Sequence, residues 1–342
     1  MALLKFIPDQ TSIPFTSWRM IAAAVSGLAV VASIIAVATL GLNFGVDFRG
    51  GVTIEVASDD PIDLGAVRSA VGDLGLGDVR VQEIVDPGGD KGVVVFIEQQ
   101  EADAVETSPG AAQSETADGT DAEGADALAD DEGAQQTASK AVQDVLRALL
   151  GEDIRFNKIE VVGPTVSGEL IQKGALAVAL ALGAMLIYIW ARFEWQFSLG
   201  AVAALAHDII ITLGVFAVTQ LEFNLPIIAA ILTIVGYSMN DTVVVYDRVR
   251  ENLRKFKKKA LTEVADLSIN DTLSRTVMTS VTTLIALIAL YVIGGDVLRG
   301  FTFAMIWGIL IGTYSSIFVA APFLLATGVK RDWSKNAVTA TP

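Results

Sequence analysis

Six stretches of the chain, 20–42, 173–191, 198–219, 226–246, 276–294 and 301–327, stay apolar over more consecutive positions than a soluble core helix needs. An α-helix rises about 1.5 Å per residue, so roughly 20 mostly apolar residues carry it across the hydrocarbon layer of a bilayer. Each stretch is therefore expected to be a spanning helix. Ala36-Val37-Ala38 imitates a signal-peptidase site. The apolar run around it, however, is longer than the ~7–15 residues of a signal-peptide core, and 20–42 is expected to be retained as the first span.

Between the first two spans, 43–172 follows other periods. Residues 52–56 alternate as a strand, and 61–74 open with Pro61 at a first-turn position and read as a helix. Residues 79–85 and 92–98 are β-branched runs separated by Asp86-Pro87-Gly88-Gly89, a turn signal. Residues 137–150 place Ala141, Val145, Ala148 and Leu149 on one helical face, and 154–162 read as a last strand. The order β-α-β-β-α-β is that of the ferredoxin-like split unit. The fold class expected is thus a polytopic α-helical membrane protein with six transmembrane helices and an α+β ferredoxin-like domain between helices 1 and 2. Residues 99–139 interrupt that domain with a stretch rich in Ala, Glu, Asp, Gly, Thr and Ser. Such a stretch has too little apolar surface to offset its ordering entropy, so a disordered insert is expected. It is either a tolerated surface loop or a functional segment that contacts basic parts of an emerging polypeptide or repels anionic surfaces.

Charge sharpens this division. The net charge is −15, but twelve carboxylates and no Lys or Arg lie between Lys91 and Lys140. The acidity belongs to the insert, and no basic face for nucleic acid is present. Elsewhere Arg248, Arg250, Arg254, Lys255, Lys257, Lys258 and Lys259 sit between spans four and five, with Lys330, Arg331 and Lys335 after span six and Lys5 and Arg19 before span one. The loops 220–225 and 295–300 carry only Arg299. Lys and Arg accumulate in cytoplasmic loops. The expected arrangement has a cytoplasmic N-terminus (1–19), a basic cytoplasmic loop (248–275), a cytoplasmic tail (328–342) and a periplasmic 43–172, in a bacterial inner membrane. Mean hydropathy of +0.54 and 18% charged residues agree with a membrane protein. The chain has no cysteine, which excludes disulfides and thiolate-held metals. Gly72, Gly75 and Gly77 follow a helix instead of a strand and no G-x-x-x-x-G-K-[ST] occurs, so no nucleotide site is expected and no cofactor is implied.

An ionisable residue inside a span is costly and marks function by default. Span three holds His207-Asp208; Asp208 lies ten residues from Ser198, roughly 15 Å deep. Span four holds Asn240-Asp241, with Asp241 seven residues before Arg248 and about 10 Å inside that face. Span five, antiparallel to it, begins Ser274-Arg275-Thr276. The depths of Asp241 and Arg275 allow them to pair. A carboxylate in a low-dielectric interior favours its protonated form, and an approaching arginine favours the ionised one. A pair that meets and parts would take up and release a proton as helices shift. Asp241 and Arg275 are therefore the expected proton relay, with a static ion pair as the plainer reading. For Asn240, Asp208 and His207 both a relay role and a packing role stay open. The span-five threonines and Gly308-x-x-x-Gly312 read as helix-packing features, and Asp247 with Arg248 and Arg250 as a surface anchor.

These residues resemble those of the SecD/SecF family of protein-export membrane proteins, within the resistance-nodulation-division superfamily. The resemblance is carried by Phe44-Gly45-Val46-Asp47-Phe48-Arg49-Gly50-Gly51, Val162-Gly163-Pro164-Thr165-Val166-Ser167 and Arg192-Phe193-Glu194-Trp195. It continues through Ala206-His207-Asp208, Gly236-Tyr237-Ser238-Met239-Asn240-Asp241-Thr242, Asp247-Arg248-Val249-Arg250-Glu251-Asn252 and Ser274-Arg275-Thr276. It implies a subunit that joins a separate SecD chain beside the SecY-SecE-SecG channel. There the pair would draw on the proton-motive force to move preproteins after the ATPase SecA has acted. It implies that Asp241 and Arg275 belong to the proton path, and that the chain is half of a paired-repeat unit. H+ is the expected coupling ion, with Na+ also suited to a carboxylate among hydroxyls. Two other functions compete: a proton-coupled exporter of small molecules or lipids, and a non-transporting assembly factor of the translocon.

Overall fold

The computed structural model describes residues 11–58, 61–85, 91–98, 126–151 and 153–329. The chain divides into two units, one of Phe44–Leu176 and one formed by the chain before it and after it.

In the first unit a four-residue helix α2 (Val46–Arg49) leads through Gly50-Gly51 into β1 (Gly51–Ser58). Both glycines have positive φ, 72° and 109°, a backbone only glycine takes at no steric cost, which is why the pair stands there. Helix α3 (Leu64–Gly72), β2 (Val79–Val85), β3 (Lys91–Ile97), α4 (Asp126–Leu150) and β4 (Arg155–Val162) follow. The strands form one antiparallel sheet in the order β2-β3-β1-β4, the ferredoxin-like arrangement. Val52, Ile54 and Val56 of β1 meet Val67 and Val71 of α3 and Val142 and Leu146 of α4, all fully buried. Asp63 caps α3 by accepting from the backbone N–H of Gly65 and Ala66 at 2.8 and 3.2 Å, so the helix starts after Asp63 and not at Pro61.

Two expectations change here. The insert ends earlier than residue 139, because α4 is helical from Asp126; residues 99–125 lie outside the described residues. The buried face of α4 is also offset by one residue: Ala134, Ala138, Val142 and Leu146 are buried, while Leu149 is exposed. The four-residue spacing of those positions runs back through the small residues ahead of 139, and it sets the rotation of the whole helix.

The second unit contains helices α1 (Arg19–Leu40), the remainder of α5 (Pro164–Arg192), α6 (Trp195–Thr219), α7 (Leu225–Lys255), α8 (Leu261–Ile293), α9 (Asp296–Ser315) and α10 (Ala321–Thr327). Among the described residues six segments are long and apolar enough to cross a membrane, the last combining α9 and α10. Between these two, Ser316–Ala320 is a π-helical turn. Pro322 supplies the reason: it has no N–H and its ring opposes a preceding carbonyl, and a wider turn absorbs the conflict. Helix α9 lies against α7, where a Cβ at Gly308 would collide with Ile234 and one at Gly312 would come within 3.0 Å of Ser238. The expected loop 248–275 is helical except for 256–260. Its helical ends are joined by Asn252 to Ser268 at 3.0 Å and Arg248 to Asp271 at 2.8 Å. Ahead of α1 the chain is clipped to α8. The Thr16 N–H and hydroxyl donate to Asp266 at 2.7 and 2.8 Å, and Ile13 exchanges two 2.9 Å bonds with Asn270.

Candidate functional site

Helices α6, α7 and α8 and the π turn bring two carboxylates into one buried layer. Asp208, on α6, is 1% exposed. Ser238 of α7 and Ser315 at the end of α9 both donate to its Oδ2, at 2.6 and 2.7 Å, and His207 Nδ1 lies 2.9 Å from its Oδ1. Asp241 stands one helical turn beyond Ser238 on the same face of α7. It accepts from Thr276 of α8 and Ser316 of the π turn, each at 2.5 Å. Adjacent serines thus serve different carboxylates, Ser315 the inner one and Ser316 the other. In a regular α-helix neighbours point about 100° apart, and the packing of the π turn between α6 and α7 fits both into the layer. Ser280 and Thr313 extend it with a 2.7 Å hydroxyl pair.

Arg275 is exposed and, among the described residues, makes no ion pair with Asp241 within 4.0 Å. It is one residue from Thr276, which holds Asp241, and close enough that its charge acts on that carboxylate. The structure therefore places the two at one level without joining them. Asn240, between the buried Met239 and Asp241, is exposed and stays outside the layer. His207 stacks on Tyr314 at 6.0 Å between centroids, and its Nε2 is buried with no hydrogen-bond partner among the described residues. Sequence reasoning missed Ser315 and Ser316, whose only signal is a Ser-Ser pair shortly before Pro322 in an apolar span.

Hydroxyls both donate and accept, so each carboxyl in this layer can be satisfied with or without its proton. Among the described residues no group of three or more His, Cys, Asp or Glu could hold a metal. The layer is fitted to exchange a proton or hold a small cation on oxygen.

Six spans, one α+β unit after the first, and carboxylates buried in the bundle define a polytopic membrane protein of transporter type. The model of the protein export membrane protein SecD/SecF C-terminal region matches residues 141–330, and that of the SecD/SecF GG motif matches 35–62, around the two positive-φ glycines. The protein translocase subunit SecF of Cereibacter sphaeroides is 45% identical over 97% of this chain and 95% of its own length. That of Rickettsia bellii is 38% identical over 94% of this chain and 95% of its own. The crystal structure of SecDF from Thermus thermophilus, a translocon-associated membrane protein, superposes with a TM-score of 0.74 at 29% identity over 94% of this chain. A SecDF structure in a super-membrane-facing form gives 0.62 at 30% identity over 95%. The chain belongs to the SecD/SecF protein-export family, on the SecF side of it. Its role is that of a protein-translocase subunit, a transporter component and not an enzyme. This chain spans about two fifths of the solved SecDF chain (40%), and the match implies association with a SecD half.

Proposed function

We propose that this chain and a separate SecD chain draw on the proton-motive force to move preproteins through the SecY-SecE-SecG channel of a bacterial inner membrane. Its Asp241 and Arg275 serve as the proton relay. One observation carries the reading: Asp241 is buried on hydroxyls alone, at the level of an arginine it does not yet touch. A proton arriving at Asp241 is held by the carboxyl; its departure leaves a charge that draws Arg275 and so pulls α8 toward α7. That displacement, passed along rigid helices, is the coupling to work on the translocating chain. The Lys and Arg excess at 248–259 and after 329 supports both termini in the cytoplasm and 43–172 in the periplasm.

The test is Asp241→Asn in vesicles that carry the full export complex. The expected result is unchanged capture of SecD and the channel, with the gradient-dependent part of translocation reduced about tenfold or more. Translocation under a full proton gradient that equals wild type defeats the motor reading and leaves the assembly factor. Stimulation that follows an imposed Na+ gradient and ignores H+ replaces the ion but keeps the site.

A further inference from the structure

The proton path leaves two motifs unused, Arg192-Phe193-Glu194-Trp195 and Asp247-Arg248-Val249-Arg250, and the fold brings them together at the end of the bundle where α5 and α7 finish. Arg192 and Arg250 both lie over the Phe193 ring, at 5.1 and 5.2 Å. They also share one carboxylate: Arg192 reaches both oxygens of Asp247 at 3.1 Å, and Arg250 approaches it at 3.7 Å. Arg250 is partly buried between them, and its Nε has no hydrogen-bond partner among the described residues. These side chains line a cleft of about 630 Å³ completed by Arg254, Lys255 and Glu251.

The charges in the cleft do not cancel. Glu251 is taken by Arg248 at 2.7 Å, so Asp247, with Glu194 nearby, faces Arg192, Arg250 and Lys255. Like charges held this close, one of them desolvated, favour an anion that donates nothing and accepts several N–H bonds. The surroundings say which anion. Trp190, two residues before Arg192, is 70% exposed, Trp195, three after it, is 55% exposed, and Tyr188, two before Trp190, is exposed too. Tryptophan and tyrosine collect where headgroups meet the hydrocarbon layer. Helix α5 is almost wholly exposed along its apolar length. The cleft therefore opens at headgroup level beside a helix whose apolar length is exposed. We propose that it is a binding site for the phosphate of an anionic phospholipid, with Arg192 and Arg250 as the principal ligands.

The experiment uses the full chain with its SecD partner, purified from mixed nanodiscs of phosphatidylcholine and phosphatidylglycerol and released for native mass spectrometry. Wild type is expected to retain phosphatidylglycerol in preference to phosphatidylcholine. Arg192→Gln/Arg250→Gln should lower that retention about tenfold, from two lost cations at the membrane surface. Lys258→Gln/Lys259→Gln removes equal charge outside the cleft and should leave it unchanged. If the first pair disturbs folding, Arg254→Gln/Lys255→Gln, at exposed positions, should still reduce retention about threefold. Equal loss in the control means diffuse surface charge and overturns the site. Competition by millimolar inorganic phosphate identifies a free-phosphate site and overturns the lipid assignment. No preference for phosphatidylglycerol in wild type overturns it too, and leaves the cleft to an acidic polypeptide segment.

Discussion

Glu55 in the α+β unit and Asp241 in the membrane unit are equally exposed, 7% each, yet they are held by different chemistry. Glu55 lies on β1, where the register sets it opposite Lys158 of β4, and Asn157 donates to it at 3.3 Å. An amide N–H₂ only donates, so Asn157 meets Glu55 with a fixed donor. Asp241 has hydroxyls from Thr276 and Ser316, which can reverse direction. Burial by itself therefore does not mark a functional carboxylate. The partners do: fixed donors make a structural acid, reversible ones a site where a proton can come and go.

Three substitutions press on that contrast. The largest effect is expected from Asp208→Ala, which strands the Ser238 hydroxyl and takes the carboxylate from His207 and Ser315 in the bundle interior. It should cost about 2–4 kcal/mol of stability, seen as a lower thermal midpoint and yield in detergent. A normal midpoint with lost export would instead make Asp208 part of the relay and not of the scaffold. Next comes Arg275→Ala. Because Arg275 is exposed and unpaired with Asp241 in this conformation, the midpoint should hardly move while gradient-driven translocation falls about tenfold. Export at the wild-type rate would make Arg275 an anchor. The smallest is Glu55→Gln, which keeps the shape and a hydrogen bond to β4. A change under about 1 kcal/mol and an unaltered response to the gradient are expected. Any loss of gradient dependence there would erase the distinction between the two carboxylates.

The six spans were readable from the sequence because lipid imposes a composition on every residue of a span, and the α+β order was readable from the period of its strands. The extent of α4 was not. Ala134, Gln135, Ala138 and Ser139 are all buried, yet as small or polar residues they carry almost no hydropathic signal. Within the site, Asp208, Asp241 and Arg275 stood out because charge in a span is rare. Their hydroxyl partners did not, since serine and threonine in spans are common helix contacts and nothing local names the helix they address. The π turn hid Ser315 and Ser316 further, because it departs from the 3.6-residue rotation on which face assignments rest. Asn240 shows the converse: adjacency in the chain to Asp241 turns it about 100° around the helix, onto an exposed position.

The clip between the N-terminal segment and α8 has a consequence for how the protein is made. Thr16 leaves the ribosome 250 residues ahead of Asp266, an interval of roughly 12–50 s at ordinary rates of synthesis. Throughout that time spans one to four can enter the bilayer, but the groups that fasten the N-terminal segment do not exist. The clip closes only once the start of the fifth span has emerged, so it works as a late latch. A nascent chain stopped before Asp266 would hold the same early helices with their leading end unfastened, and a protease acting on that end would tell finished molecules from unfinished ones.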